Sequence, residues 1–178
     1  EHRAEMLCQE AEEVQNKREI ITRLSNLALK LYSFYIKNGH ARNPEEEQGF
    51  TNYFNSHLPP EALQHKGFYE QLYVYQSYVW YSFICQNFLM YYRYTNKWVK
   101  LFDDNPLMKE IETGHYLKGI HNLLNAHFDL RNYKKFDETL AYFEAFSKTE
   151  LASQNNNNLI QTFIYVSSAK LNRYIMFG

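Results

Sequence analysis

Glycine and proline are scarce, six and four in 178 residues. They gather at Gly39 to Pro44, Pro59-Pro60, Pro106 and Gly114, and the intervals between them carry apolar residues at three- and four-residue spacing. Strand-like alternation is missing, so the spacing predicts an all-α chain. There are only two cysteines, Cys8 and Cys85, with no CxxC or Cys/His pairing. That pattern argues against a disulfide scaffold or a thiolate metal site and predicts reduced thiols in a cytoplasmic protein. Neither sign of charge dominates, with 19 Lys and Arg against 20 Asp and Glu. The balance disfavours a basic nucleic-acid binder and an acidic tail alike. The longest apolar run, "LYVYQSYVWYSFICQNFLMYY", is interrupted by Gln76, Gln86 and Asn87, so no membrane helix is predicted. The glycines are too dispersed for a phosphate-cradling loop, and no cofactor is predicted.

Aromatic residues are abundant: 16 tyrosines, 13 phenylalanines and two tryptophans. Tyrosine rings favour burial while their hydroxyls require a partner or water, which predicts a core that is polar at its edges. The breakers and the apolar spacing place helices at 2–16, 18–38, 45–56, 60–85, 88–103, 107–112, 115–130, 133–149 and 158–177. Nothing between Glu1 and Asn38 interrupts the first two, which can be read as one rod. Both ends of the sequence read as cut from something longer.

Internal repetition is visible. "YVYQSYVWYSFICQNFLMYYRYTNKWVKLF" and "YLKGIHNLLNAHFDLRNYKKFDETLAYFEAF" each run as an apolar helix, an Asn-aromatic turn and an amphipathic helix with an aromatic end. Asn132-Tyr133 lies 45 positions after Asn87-Phe88. A weaker copy spans "LSNLALKLYSFYIKNGHARNPEEEQGFTNYF", and "LIQTFIYVSSAKLNRYIMFG" reads as half of another. The turns "QNFLMYY" and "RNYKKFDETL", with Pro106 after "KLFDD", resemble the helical hairpins of the tetratricopeptide-repeat family. Gln86 and Arg131 stand where that family has its turn glycine, and the period is longer than its usual residue count of about thirty-four. The resemblance covers about residues 18–178. It implies a single domain over 1–178, built from hairpins at about 18–56, 60–103 and 115–149 with a half-repeat at 158–177. Stacked as a right-handed α-α solenoid, such hairpins would hold protein or peptide ligands on their inner helices.

Catalytic constellations are hard to find. His115, His121 and His127 are six apart, an advance of about 600° that scatters them around a helix. His57 and His65 are separated by Pro59-Pro60, and neither an i, i+4 histidine pair nor HExxH occurs. The acidic groups Glu12-Glu13, Glu45 to Glu47 and Asp103-Asp104 read as solvated faces and helix ends. Cys85 and the serines have no neighbouring base in sequence. No metal site and no enzyme are predicted.

Binding chemistry is better represented. Lys118, His121, Asn122 and Asn125 form a polar ridge opposite Ile120, Leu123 and Leu124. Under the repeat reading, neighbouring inner helices add Tyr73, Gln76 and Trp80 on one side and Lys170 and Arg173 on the other. Asparagine amides pair with peptide backbone, Lys and Arg with an acidic or C-terminal carboxylate, and a tryptophan face with an apolar side chain. On residues 88–102 the basic stripe of Arg93, Asn96, Lys97 and Lys100 reads as a solvated outer face. The first functional expectation is therefore a non-catalytic module for protein or peptide recognition. The second is a structural domain forming a homodimer through the apolar C-terminal helix. Nucleic-acid binding by helical repeats is the least favoured reading, because the basic surface is too small.

Overall fold

The computed structural model describes residues 2–64 and 66–177. His65, half of the histidine pair considered above, lies outside the described residues. Among the described residues there are eight α-helices, one 3₁₀ turn and no strand: the fold is all-α. The helices are α1 (His2–Asn38), α2 (Pro44–His57), α3 (Phe68–Ile84), α4 (Phe88–Asp103), α5 (Pro106–Ile111), α6 (Thr113–Asp129), α7 (Tyr133–Phe146) and α8 (Asn156–Phe177). The chain divides into two compact units, Glu1–Gln86 and Asn87–Gly178. None of the helices in the described residues is long and apolar enough to cross a membrane.

In the first unit, α1 is one continuous helix of 37 residues, about 55 Å long. Its described side chains up to Glu19 are exposed. Burial begins at Ile20 and continues through Leu24, Leu27, Ala28 and Leu31, the spacing of a single helical stripe, which packs against α3. Gly39 ends the helix with φ of +73°, a conformation that glycine adopts without steric cost. The connection to α2 closes over the end of α3: the Ala41 N–H donates to the Ile84 carbonyl at 2.9 Å, and His40 Nδ1 donates to that of Phe83 at 2.8 Å. These bonds satisfy carbonyls that a helix terminus otherwise leaves orphaned. Asn43 caps α2 by accepting from the Glu46 N–H at 2.8 Å, and Pro44 occupies the first helical position. Phe54 of α2 stacks on Tyr81 of α3 with a centroid separation of 4.3 Å.

The sequence expectation of a helix from 60 fails at its start: α3 begins at Phe68. Residues after Pro59 instead form tight turns, with Ala62 N–H bonded to the Pro59 carbonyl and Gln64 N–H to that of Glu61. Ala62 is buried against Leu24 and Val74, so packing holds the turns where local propensity alone favours helix. Helix α7 likewise ends at Phe146: residues 147–149, expected to be helical, form turns, and a 3₁₀ turn follows at Leu151–Ser153.

In the second unit, α6 touches α4, α7 and α8. Being surrounded, it buries residues on several faces, among them Tyr116, Leu117, Gly119, Ile120, Asn122 and Leu124. Gly119 matters for packing: a Cβ there would lie 3.2 Å from Nε1 of the buried Trp98 of α4. The basic stripe of α4 is exposed, while Tyr91, Thr95, Trp98 and Phe102 are buried on its other side. Two turns share one backbone: among the described residues, Gln86 and Arg131, at φ of 54° and 53°, are the non-glycine residues with positive φ. Each is followed by an asparagine at the N-cap of the next helix, Asn87 for α4 and Asn132 for α7.

Candidate functional site

The nine residues of the expected peptide site divide between the units, three in the first and six in the second. In the first, Trp80 is 9% exposed and sits in the core with Leu27, Leu31, Phe54 and Ile84. Its ring lies 4.8 Å from that of Tyr32 and 6.0 Å from that of Tyr35. Gln76 is buried on the same helix, and Tyr73 is half-buried against the Leu24 cluster.

In the second unit, α6 carries the polar ridge under its neighbours. Asn122 is 2% exposed, and its Oδ1 accepts from the Tyr91 hydroxyl of α4 at 3.4 Å. Tyr165 of α8 covers the next part of the ridge. Its ring stacks on His121 at 4.1 Å and 13°, and Lys118 Nζ lies 5.4 Å from the same centroid. Asn125 Nδ2 completes the cluster at 3.3 Å from His121 Nε2. Burial, aided by Lys118, pulls the His121 imidazole down to about 4, so it is neutral at neutral pH. Burial alone also lowers the Lys118 ammonium. The structure brings these three residues together with Tyr165, a residue that sequence spacing had not singled out.

Lys170 and Arg173 lie along the seam between α7 and α8. Lys170 Nζ is 2.8 Å from Glu144, and Arg173 Nε donates to Asp137 at 2.7 Å. With Leu140 and Tyr174 they line a shallow groove. Both cations are thereby paired with acids of α7. Sequence spacing had no means of pairing residues 36 positions apart.

Chemistry elsewhere is limited. Among the described residues, no group of three or more His, Cys, Asp or Glu side chains gathers to hold a metal ion. Burial and the nearby Glu47 push the Cys85 thiol up to about 11, so it carries its proton at neutral pH and is a poor nucleophile. Tyr116, fully buried, has its phenol raised by burial and by its 2.6 Å bond to the Tyr142 hydroxyl.

The most distinctive surface is on α8. Its buried positions are Asn158, Thr162 and Ala169, polar or small. Its outward positions include Leu159, Ile160, Phe163, Ile164, Leu171, Tyr174 and Ile175, each more than half exposed, with Phe163 at 73% and Tyr174 at 76%. The usual amphipathic order is inverted: the larger apolar side chains face outward. Comparison with protein-family models, curated proteins and solved structures finds no match for this chain.

Proposed function

We propose that this chain is a non-catalytic helical module that docks another protein, and that the docking surface is the outward face of α8. The inverted face carries the reading. An apolar patch of seven large side chains along one helix exceeds what solvated surfaces ordinarily display, and such patches mark interaction sites. The polar ridge of α6 is a weaker candidate, because its side chains contact Tyr91 and Tyr165, and Lys170 and Arg173 are paired with Glu144 and Asp137. A helical-hairpin repeat of the tetratricopeptide kind is part of the same proposal. Its support is the pair of left-handed turns at Gln86 and Arg131, each leading into a helix with asparagine at the N-cap position, although only Asn87 caps with its side chain.

The test uses affinity capture with three baits: the native chain, Phe163→Lys with Leu171→Lys, and Lys118, Asn125 and Arg173 changed together to alanine. A partner retained by the native and triple-alanine baits but lost from the lysine bait supports docking on α8. A partner lost only from the triple-alanine bait overturns it and moves the site to the ridge and the α7–α8 seam.

A further inference from the structure

We infer that the occupant of the α8 face is a second copy of this chain, with the two α8 helices antiparallel across a two-fold axis at Ser167. The inference rests on the docking role proposed for this face and names its partner.

A two-fold axis perpendicular to an antiparallel helix pair sets the residue n positions before the axis against the residue n positions after it. The exposed face of α8 is nearly palindromic in that sense. Phe163 and Leu171 stand four positions either side of Ser167, Ile160 and Tyr174 seven, and Leu159 and Ile175 eight. All six are exposed, and so is Ser167. At about 100° per residue the six fall within roughly 80° of Ser167 around the helix, so they form one stripe. Ile160 and Tyr174, about 20° either side of the contact line, therefore meet across it and Phe163 and Leu171 flank it, while Leu159 and Ile175 stand on its two rims and the small serine sits at the closest approach of the two backbones.

Area and charge agree with this occupant. With residue areas of order 200 Å², the exposed fractions of the stripe total at most roughly 800 Å² per copy, which reaches the share of one partner in a stable complex when nearly all of it is covered. From Leu159 to Ile175 the only charged residues are Lys170 and Arg173. Each is drawn toward α7, by Glu144 and Asp137, so self-pairing brings no unneutralised cations face to face. Ile164 and Lys170, about 60° to opposite sides of the contact line, stand at the rims of the paired face.

The experiment is sedimentation equilibrium of the native chain, of Leu171→Glu and of Ser167→Cys, with circular dichroism to verify that each is folded. A native dimer, a dissociation constant raised at least a hundredfold by Leu171→Glu, and a Ser167→Cys species that oxidises to a disulfide-linked dimer are expected. Because Cys8 and Cys85 are also present, the last variant is made with both changed to serine. A native chain that stays monomeric at 100 μM overturns the inference. So does a dimer that survives Leu171→Glu, or a Ser167→Cys dimer that never cross-links on oxidation. If the chain is monomeric yet capture on the native bait is lost from the Phe163→Lys, Leu171→Lys bait, the second copy falls and the docking role stands. If neither is seen, both fall.

Discussion

His127 offers the sharpest test of the packing around α6. It is 3% exposed, its ring lies 5.4 Å from that of Tyr92, and among the described residues its Nδ1 meets no hydrogen-bond partner. Burial, with Lys135 adding to it and Glu138 opposing, pulls the imidazole from 6.5 down to about 4. The folded state therefore holds His127 neutral, whereas the unfolded chain takes up a proton near pH 6.5. Between these values the unfolded state binds more protons, so stability is full above pH 6.5 and declines as pH falls toward 4. The decline attributable to His127 is about 3 kcal/mol, a large part of the ~5–15 kcal/mol that holds a typical domain together. His121 acts in the same direction, so the assay isolates His127 by substitution. Trp98 belongs to the second unit and Trp80 to the first, so fluorescence in a Trp80→Phe background follows the second unit alone. Urea unfolding is measured from pH 7.5 to pH 4 with His127 present and with His127→Gln. The expected result is a difference between the two that changes by about 3 kcal/mol across that range, in favour of the glutamine variant at low pH. Parallel curves would refute the claim that His127 is held neutral by burial.

Other outcomes follow from the geometry. Gly119→Ala gains about 1 kcal/mol of helix propensity but sets a methyl group 3.2 Å from Trp98, and overpacking there costs about 1–3 kcal/mol. A net loss of stability with shifted Trp98 emission is expected, and a more stable variant would show that α4 and α6 are not close there. Arg131→Gly relieves a left-handed residue at φ of 53° and stabilises the second unit by roughly 0.5–1 kcal/mol after the added entropy of the unfolded chain is counted; a lower urea midpoint would contradict this. Gly67→Ala directs a methyl group onto the carboxylate of Glu70, which is 3% exposed and 3.9 Å from Lys17 Nζ. Loss of about 1–3 kcal/mol from the first unit is expected as that carboxylate is displaced, and an unchanged thermal midpoint would argue against its buried placement.

Much of the secondary structure was legible because its causes are local. Phe88–Asp103 is bounded by the Asn87 cap, which accepts from the Met90 N–H, and by Asn105-Pro106, and the expected and observed helices coincide. For α1 the sequence left two readings, helices at 2–16 and 18–38 or one rod, and the rod is observed, in keeping with the lack of any breaker before Gly39. The solvated stripe of α4 was legible from helical phase. The start of α3 was not, because the turns after Pro59 are held by Ala62 against Leu24 and Val74, residues distant in sequence.

Helical phase by itself also separated the two faces of α6 and α8, since 3.6 residues per turn fixes which side chains point the same way. Which face meets water depends on how many neighbours a helix has, and only the tertiary structure decided that. With α4, α7 and α8 around it, α6 has its ridge under Tyr91 and Tyr165. On α8 the small Ala169 and Thr162 are buried, while Phe163, Leu171 and Tyr174 face outward. The sequence by itself determined that the chain is helical, most of its helix ends and the faces of its helices, because propensity and caps act over a few residues; the tertiary structure set the start of α3 and chose which faces to bury, because those choices are made by residues far apart along the chain.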